Sequence, residues 1–529
     1  MSAELTPRRR KLVLAVVALA LMMVVSAVSG LNVALPDLST ATGASQTQVI
    51  WIVDAYTLVF VGFLLPAGAL GDRYGRKGTL LAGLAVFGAA AAAAMFVSSP
   101  AALIGLRAVM GLGAAAVMPS TLSIITTSFP EEERGRAVGV WVGVAGGGAV
   151  LGLLASGALL EFFAWSSFFG LNVTLAVVAL IGTILLIPTS RDADAVRLDP
   201  VGALFSLLAA VGIVLGIIEG PDRGWGDALT MTGFVVGGLA LAAFIGWELR
   251  RADPMLDVRL FRLRGFSAGS GVITAQFFGS FGLFFIIMQY LQYVADLSPF
   301  RTALALLPLP LFLLPIARNA PKIADRVGAN RVLPIGLTLS ASGLAVMATT
   351  LGTDFVYWHL ALGLALFGVG MGLAGTPATT AIVSSLPESK QGVGSAMNDL
   401  SRELGSALGI AVLGSALSSA YRSHVAPATE GLPPHAAAGA QSSIAFVKGA
   451  SDKLAQFGPK GQHLLDAAQQ SFVDATHTAF GIAIAVLLVG AVFAAVRAPR
   501  KGDGQRGEHG RDGRREEPGK VSQAGATRL

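Results

Sequence analysis

The chain has 529 residues, of which 53% are hydrophobic and only 13% are charged, whereas about 25% of the residues of a typical soluble domain are charged. This composition excludes an ordinary soluble protein, and the absence of cysteine excludes disulfides, thiolate nucleophiles and cysteine-bound metals. The net charge is +6, but the basic residues collect in loops beside apolar segments, as membrane topology requires, which argues against nucleic-acid binding. The sequence therefore predicts an all-α integral membrane protein.

Apolar segments long enough to cross a bilayer recur along the whole chain, since about 20 helical residues span a hydrocarbon core. The first segment is longer than the apolar core of a signal peptide, so we expect it to be retained as a membrane helix. In chain order we predict fourteen spans, at residues 12–33, 49–69, 79–97, 101–126, 137–160, 168–188, 200–219, 229–249, 266–293, 301–318, 331–351, 356–384, 392–420 and 473–497.

The basic residues also predict which side each loop faces. With the N-terminus inside, 31 of the 38 lysines and arginines fall on inner segments, six on outer segments and one, Arg107, within a helix. Because basic residues favour the cytoplasmic side, we expect both termini in the cytoplasm. The long outer loop 421–472 separates the last two spans, and the charged tail 499–529 is expected to be disordered.

Two halves of the chain resemble each other. Gly111 and Gly113 recur 257 residues later as Gly368 and Gly370, and Asp72 recurs 253 residues later as Asp325. Such a repeat predicts two six-helix bundles, residues 1–199 and 250–498, with two additional transmembrane helices in 200–249. Repeated halves with a site between them are the architecture of a transporter that exposes the site to each side in turn.

Several motifs resemble the major facilitator superfamily, specifically its fourteen-helix drug:proton antiporter branch. The resemblance is carried by LNVALPDL (31–38), GALGDRYGRKGTL (68–80), LRAVMGLGAAAVMPS (106–120), FFAWSSFFGLNV (162–173), ELRRADPMLDVRLFRLRGF (248–266), QYLQYVADLSP (289–299) and RELGSALGIAVLGS (402–415). WIVDAYTLVF (51–60) further resembles the subgroup that exports quaternary ammonium compounds and other lipophilic cations.

The resemblance implies a monomeric, multi-pass transporter of a bacterial plasma membrane. It would export amphiphilic or cationic small molecules, drugs or biocides, in exchange for protons, with the proton motive force in place of a cofactor and with no metal and no nucleic-acid partner. The sequence departs from the branch at Ala27, where an acid is usual, and at Leu153, where proline is usual. Import or uniport of one metabolite therefore stays an alternative, as does a membrane sensor that does not transport; no nucleophile–base set suggests an enzyme.

Asp54 is the single acid in the uncharged stretch from Val49 to Leu70. A charge facing lipid there would cost about 2.5–3.5 kcal/mol or more, so we expect the side chain to face the bundle interior. Such a carboxylate can exchange a proton for a cationic substrate. The structural alternatives are a protonated acid that bonds a neighbouring helix, or a surface acid at the end of a shorter helix.

Three further charges are candidates for proton coupling. Glu403 and Asp399 lie one helical turn apart, and Glu403 resembles the acid that related cation exporters carry in this motif; the alternative is an internal ion cluster with Arg402. Arg107 resembles the family's helix 4 arginine, which implies a role in proton relay, and the alternative is a purely structural pair.

The remaining candidate residues form three groups. The resemblance implies an inner latch that holds the cytoplasmic face closed in the outward-open state, made of Gly71, Asp72, Arg73, Gly75, Arg76 and Lys77 with the reduced copy Asp325 and Arg326. Aromatic and polar side chains that can line a cavity for a lipophilic cation are Trp51, Tyr56, Asn32, Phe281, Gln289 and Gln292. The helix 5 motif comprises Gly152, Ser156 and Gly157, where small residues permit close helix packing.

Overall fold

The structure is a computed structural model that describes residues 6–190, 199–251, 254, 256–386 and 391–499. Every regular element within these ranges is helical, so the all-α prediction is confirmed. The predicted disordered tail lies, from residue 500 onward, outside the described residues.

The helices follow the predicted order. The first half contains α1 (Pro7–Thr42), α2 (Gln46–Tyr74), α3 (Arg76–Ala94), α4 (Pro100–Ser128), α5 (Glu131–Phe162) and α6 (Ser167–Leu186). The additional helices are α7 (Pro200–Arg223) and α8 (Ala228–Arg250). The second half contains α9 (Arg264–Tyr293), α10 (Pro299–Ala305), α11 (Pro308–Val327), α12 (Ala329–Thr350), α13 (Tyr357–Ser384) and α14 (Gln391–Val425), and then, after the short helices α15 (Pro434–Ser442), α16 (Ile444–Gly449) and α17 (Ser451–Gln456), the last helix α18 (Pro459–Arg497).

Within the described residues, 13 helices are long and apolar enough to cross a membrane, with α10 and α11 together forming one of them. The remaining predicted span, residues 137–160, falls in α5, whose apolar part Gly148–Phe162 is shorter. The chain is thus a multi-pass membrane protein.

The structure corrects several helix ends. α2 begins at Gln46, three residues before the predicted start, because Ser45 and Gln48 form a capping box. α18 begins at Pro459 rather than near residue 473, since a helix can continue into water beyond its apolar part. The predicted span 301–318 is divided, because Pro308 lacks the N–H needed in a helix interior and instead starts α11.

The sequence repeat reappears as a repeat of helix packing. A Cβ on Gly113 would lie 2.8 Å from Gly83 O and 2.7 Å from Phe87 N, so α4 and α3 meet backbone to backbone. A Cβ on Gly370 would collide in the same way with Gly336 and Ser340, which are 253 residues after Gly83 and Phe87. The repeated glycines are therefore required for the same close contact in both halves.

The loops that are predicted to face the cytoplasm share one backbone conformation in the two halves. We call this predicted cytoplasmic side the inner side and the opposite side the outer side. Gly75 has φ 129° and ψ 122°, and Gly328, which lies 253 residues later, has φ 98° and ψ 139°. Side chains other than that of glycine rarely adopt this region. The turn between α2 and α3 and the turn between α11 and α12 are thus equivalent.

Replacing Gly113 by valine is expected to lower the free energy of unfolding by more than the 1–3 kcal/mol typical of overpacking, because the collision involves backbone atoms that cannot rotate away. Gly105 lies on the same helix with open space around its Cα, so Gly105→Val serves as the matched control. Thermal unfolding of the detergent-purified variants measures the effect. Equal unfolding temperatures for the two variants would contradict the packing argument.

Candidate functional site

Asp54 is fully buried in the outer half of α2. It lies eight residues after the first residue of the helix, about 12 Å along the axis, which is deeper than the predicted start of α2 would have placed it. The alternative of a surface acid at the end of a short helix is therefore wrong.

The neighbours of Asp54 along α2 show which helices it faces. Ile50, one turn earlier, packs against Gly414 of α14, and Trp51, three residues earlier, donates a hydrogen bond to Glu219 of α7. Because residues three and four apart share one face of a helix, Asp54 faces the junction of α2, α7 and α14. We call the line along which α2 meets α14 the seam; it joins the two halves.

Both carboxylate oxygens of Asp54 lack a hydrogen-bond partner among the described residues. This observation also argues against the alternative in which Asp54 bonds to a neighbouring helix. An unpaired charge in such surroundings is costly, so the carboxyl group needs either a bound proton or a bound cation. A group that must bind either a proton or a cation can exchange one for the other.

Glu403 lies on the same seam, closer to the inner side. It is half-buried and lies near Tyr56 of α2. α2 and α14 are antiparallel and meet at Ile50 and Gly414, so Asp54 lies about 6 Å and Glu403 about 16 Å inward of that contact. The two acids are thus separated by roughly 10 Å of depth along one interface.

The predicted ion cluster around Arg402 forms only in part. Arg402 Nη1 lies 4.0 Å from Asp399 Oδ1, whereas no ion pair to Glu403 is present among the described residues. The Arg402 guanidinium instead lies over the Phe277 ring, 4.7 Å from its centroid. Glu403 therefore remains available to a ligand.

Arg107 of α4 is fully buried beside α1 and α2. Its Nε donates to Ile52 O at 2.9 Å, and its Nη1 donates to Ala27 O at 3.3 Å. The guanidinium lies 4.3 Å from the centroid of the Tyr56 ring, and Nη2 has no partner among the described residues. Two backbone carbonyls and an aromatic face, rather than a carboxylate, thus hold the guanidinium among the described residues.

The two halves are joined at their outer ends. Tyr293 and Ser39 form a hydrogen bond of 2.6 Å between their hydroxyls, and Gln292 Nε2 donates to Val33 O at 3.0 Å. A Cβ on Gly157 would lie 3.0 Å from Pro299 O, so α5 and α10 also meet there. The space between the halves is therefore closed on the outer side.

One face of α1 and one face of α9 are partly exposed although both helices lie within the bundle. On α1 the face consists of Ala18, Met22, Val25 and Ser29, and on α9 it consists of Thr274, Phe277, Phe281 and Phe284. Spacings of three and four residues place each set on a single helical face. The α1 face packs against α5, because a Cβ on Gly148 or Gly152 would lie within 4 Å of Met22, Val25 or Ser29, whereas the α9 face presents partly exposed aromatic rings.

The six predicted cavity residues do not line one common surface. Phe281 belongs to the partly exposed face of α9 and stacks on Phe277 at 6.0 Å between centroids. Gln292 belongs to the closed outer end. The Tyr56 ring packs on Arg107 and its hydroxyl donates to Val24 O of α1, and Trp51 donates to Glu219 of α7. The amide groups of Asn32 and Gln289 are buried and donate to carbonyls of their own helices, Val28 O and Phe285 O.

The predicted inner latch forms contacts within the first half. Arg76 N donates to Ser190 O at 3.0 Å and Lys77 Nζ donates to Ile184 O at 2.9 Å, so the loop is fixed to the inner end of α6. Gly71 and Gly75 are buried, Arg73 is exposed, and Asp325 and Arg326 are exposed on the second half. The side chain of Asp72 lies outside the described residues.

The helix 5 motif joins α5 to α1 and to the second half. Gly152 packs against Ser26, and a Cβ on Gly30 would collide with the Ser156 hydroxyl. Gly157 approaches Pro299 and Ala303 of α10. The motif therefore serves close helix packing.

Sequence reasoning missed Glu219, Asp222 and Arg422. The structure places them together at the outer ends of α7 and α14. The sequence did contain one signal for them. Glu219 and Arg223 are an acid–base pair four residues apart inside an apolar helix. Within the described ranges, no group of three or more histidines and acids could hold a metal ion.

Comparison with known proteins places this architecture in a family. Residues 17–410 match the Major Facilitator Superfamily. The chain is 32% identical to the multidrug efflux pump LfrA of Mycolicibacterium smegmatis over 94% of its own length and 97% of that protein. It is 34% identical to the methyl viologen resistance protein SmvA of Salmonella typhimurium over 93% of its length and 100% of that protein.

Solved structures agree on the fold. A bacterial homologue of the human lysosomal transporter Spinster, in an inward-facing and occupied conformation, superposes with a TM-score of 0.64 at 16% identity, over 93% of this chain and 98% of that chain. The match across most of the membrane part, together with the repeated packing of the two halves, shows that the chain belongs to the Major Facilitator Superfamily.

Proposed function

We propose that the chain exports amphiphilic small molecules, cationic or neutral, in exchange for protons by alternating access. The proposal depends above all on Asp54, a buried carboxyl group without a hydrogen-bond partner on the seam between the halves. It is supported by relatives whose names describe multidrug efflux and methyl viologen resistance. The chain would act as a monomer in a bacterial plasma membrane, with no cofactor and no enzymatic step.

The seam explains how proton and cargo compete. A carboxylate in an apolar interface must be neutralised, and a proton and a lipophilic cation are alternative ways to do so. Asp54 and Glu403 would take protons from outside, and the protonated transporter would turn inward. Cargo that enters from the inner side would then displace the protons into the cytoplasm.

The partly exposed aromatic face of α9 suits amphiphilic cargo. Phe277 and Phe281 present stacked aromatic faces beside Arg402 and Glu403. Aromatic faces attract cations and also bury apolar rings without directional bonds. Such a face favours the binding of many related amphiphilic molecules over the binding of one specific metabolite.

The driving force depends on the charge of the cargo. If one proton is exchanged for one monovalent cation, no net charge moves, so only the pH difference drives the exchange, at tenfold accumulation per pH unit (about 1.4 kcal/mol). For neutral cargo the membrane potential adds about 2.3 kcal/mol per 100 mV, which corresponds to roughly 50-fold accumulation. A neutral substrate is therefore expected to respond to both components of the proton motive force.

Inverted membrane vesicles test the proposal, because their lumen corresponds to the cell exterior. When the lumen is acidified, we expect ethidium to accumulate by up to about tenfold per pH unit and to leak out when the pH gradient is dissipated. Glu403→Gln is expected to slow this accumulation severalfold, since it removes a proton site. Glu430→Gln, at an exposed acid of the outer loop, is the matched control and should behave as the wild type.

Other outcomes would favour the alternative functions. Equilibration of one metabolite without a response to pH would indicate uniport, and uptake in the opposite direction would indicate import. The absence of any flux in liposomes that contain only the purified protein would indicate a non-transporting sensor.

A further inference from the structure

The additional helix α7 is tied to the first half through a membrane acid. Glu219 Oε1 accepts a hydrogen bond of 2.8 Å from Trp51 Nε1 of α2. Its second oxygen, Oε2, accepts from Arg223 Nε at 2.8 Å. Only 15% of the Glu219 side chain is exposed, so both carboxylate oxygens are used in a largely buried position.

The same end of α7 is tied to the second half through α14. Ser415 Oγ donates to Ile217 O at 2.8 Å, and Arg422 Nη1 donates to Pro221 O at 3.0 Å. Arg422 also forms an ion pair with Asp222. A helix that belongs to neither half is thus bonded to both halves at one level.

We propose that the outer end of α7 is a gate element that holds the transporter closed on the outer side. We name Trp51, Glu219, Asp222 and Arg422 the outer clamp. The inference rests on the alternating access of the proposed function, because outward opening must separate the outer ends of α2 and α14. α7 cannot stay bonded to both once they separate, so each cycle breaks one side of the clamp.

The position of the clamp relates it to the coupling acid. Trp51 precedes Asp54 by three residues on the same face of α2, and Ser415 follows Gly414, which packs on Ile50. Release of Trp51 from Glu219 would therefore shift the part of the seam that contains Asp54. The two additional helices then have a defined role: they oppose outward opening until cargo has displaced the protons from the seam.

The chain contains no cysteine, so spin labels can be placed at introduced cysteines without background. Ser98→Cys and Asp354→Cys label exposed outer loops of the two halves, and Thr127→Cys with Thr380→Cys labels their exposed inner ends. Pulsed electron–electron distance measurements in lipid nanodiscs then report the closed and open populations directly, without a transport assay.

Loss of the ion pair in Asp222→Asn or Arg422→Gln is expected to raise the ratio of outer-open to outer-closed molecules by up to about fivefold, since such partly exposed pairs contribute at most about one kcal/mol. Glu219→Met also removes the acceptor of Trp51, and combined with Asp222→Asn it is expected to raise the ratio by about tenfold or more. The charge-exchanged double variant Asp222→Arg with Arg422→Asp should return the ratio toward the wild-type value. Asp466→Asn is the matched control, because Asp466 bonds only Gln462 of its own helix among the described residues.

The outcomes separate the clamp from the proposed function. If the wild type shows two outer distances that respond to pH and ethidium, but the clamp variants match it, the clamp is overturned and alternating access stands. If the wild type shows one outer distance under all conditions, alternating access itself fails. A charge-exchanged variant as open as the single variants would show that the Asp222–Arg422 attraction does not hold the gate.

Discussion

Replacement of Asp54 by asparagine is expected to abolish gradient-driven export while leaving the protein folded. Asparagine has nearly the same shape but cannot bind and release a proton at physiological pH. Accumulation of a lipophilic cation in inverted vesicles should fall from about tenfold per pH unit to passive equilibration. The stability should change little, because the carboxylate oxygens have no hydrogen-bond partner to lose among the described residues.

A second buried aspartate provides the matched control. Asp199, at the start of α7, accepts hydrogen bonds from Gly202 N and Trp247 Nε1 and pairs with Arg251 at 3.2 Å. Asp199→Asn is therefore expected to lower the unfolding temperature and to leave the pH dependence of export intact. Asp54→Asn should instead keep the unfolding temperature nearly unchanged and lose the pH dependence of export. Unchanged coupled export in Asp54→Asn, measured at equal protein levels, would remove Asp54 from the mechanism.

Much of the fold could be predicted from the sequence, because membrane helices and repeats leave local signals. The 257-residue spacing of the glycines and the 253-residue spacing of Asp72 and Asp325 predicted matching halves, and the structure shows the same backbone contacts at Gly113 and Gly370. Helix ends were less accurate, since hydropathy detects contact with lipid and not the length of a helix. The polar start of α18 and the division at Pro308 show this limit.

The site was predictable only as a set of unusual residues. A lone acid in an apolar stretch marked Asp54, and a motif marked Glu403, but which helices they face depends on contacts far apart in sequence. The clamp was missed for the same reason. Trp51 and Glu219 are 168 residues apart, and Arg422 and Asp222 are 200 residues apart, so no local pattern connects them.

Replacement of Arg107 by methionine is expected to show whether Arg107 stabilises the bundle or takes part in the exchange of proton and cargo. If the guanidinium were mainly a structural tie, its loss would destabilise the bundle. Its acceptors, however, are the carbonyls of Ile52 and Ala27, which lie inside helices and keep their intrahelical partners. Methionine also removes the cost of burying the guanidinium, and no ion-pair partner among the described residues would be left as an uncompensated charge. Arg107→Met should therefore unfold at the same or a higher temperature.

Export should nevertheless fall to the level of passive equilibration. Arg107 places a fixed positive charge against the Tyr56 ring, and Glu403 of α14 lies near the same tyrosine. While an acid on the seam is ionised it offsets this charge, and a cationic cargo can bind. Once the acid is protonated, the like charges of Arg107 and the cargo repel each other at low effective dielectric, which drives the cargo out.

Arg107→Lys is the informative companion, because lysine keeps the charge but cannot bridge both carbonyls or stack as a plane on the tyrosine ring. We expect it to retain part of the coupled export that Arg107→Met loses. Thermal unfolding and ethidium accumulation in inverted vesicles, measured on the same preparations, give both readouts. A large loss of stability in Arg107→Met, with export reduced only in proportion to the folded fraction, would assign Arg107 to structure. Full stability with lost export, partly restored by lysine, assigns its charge to the exchange of proton and cargo.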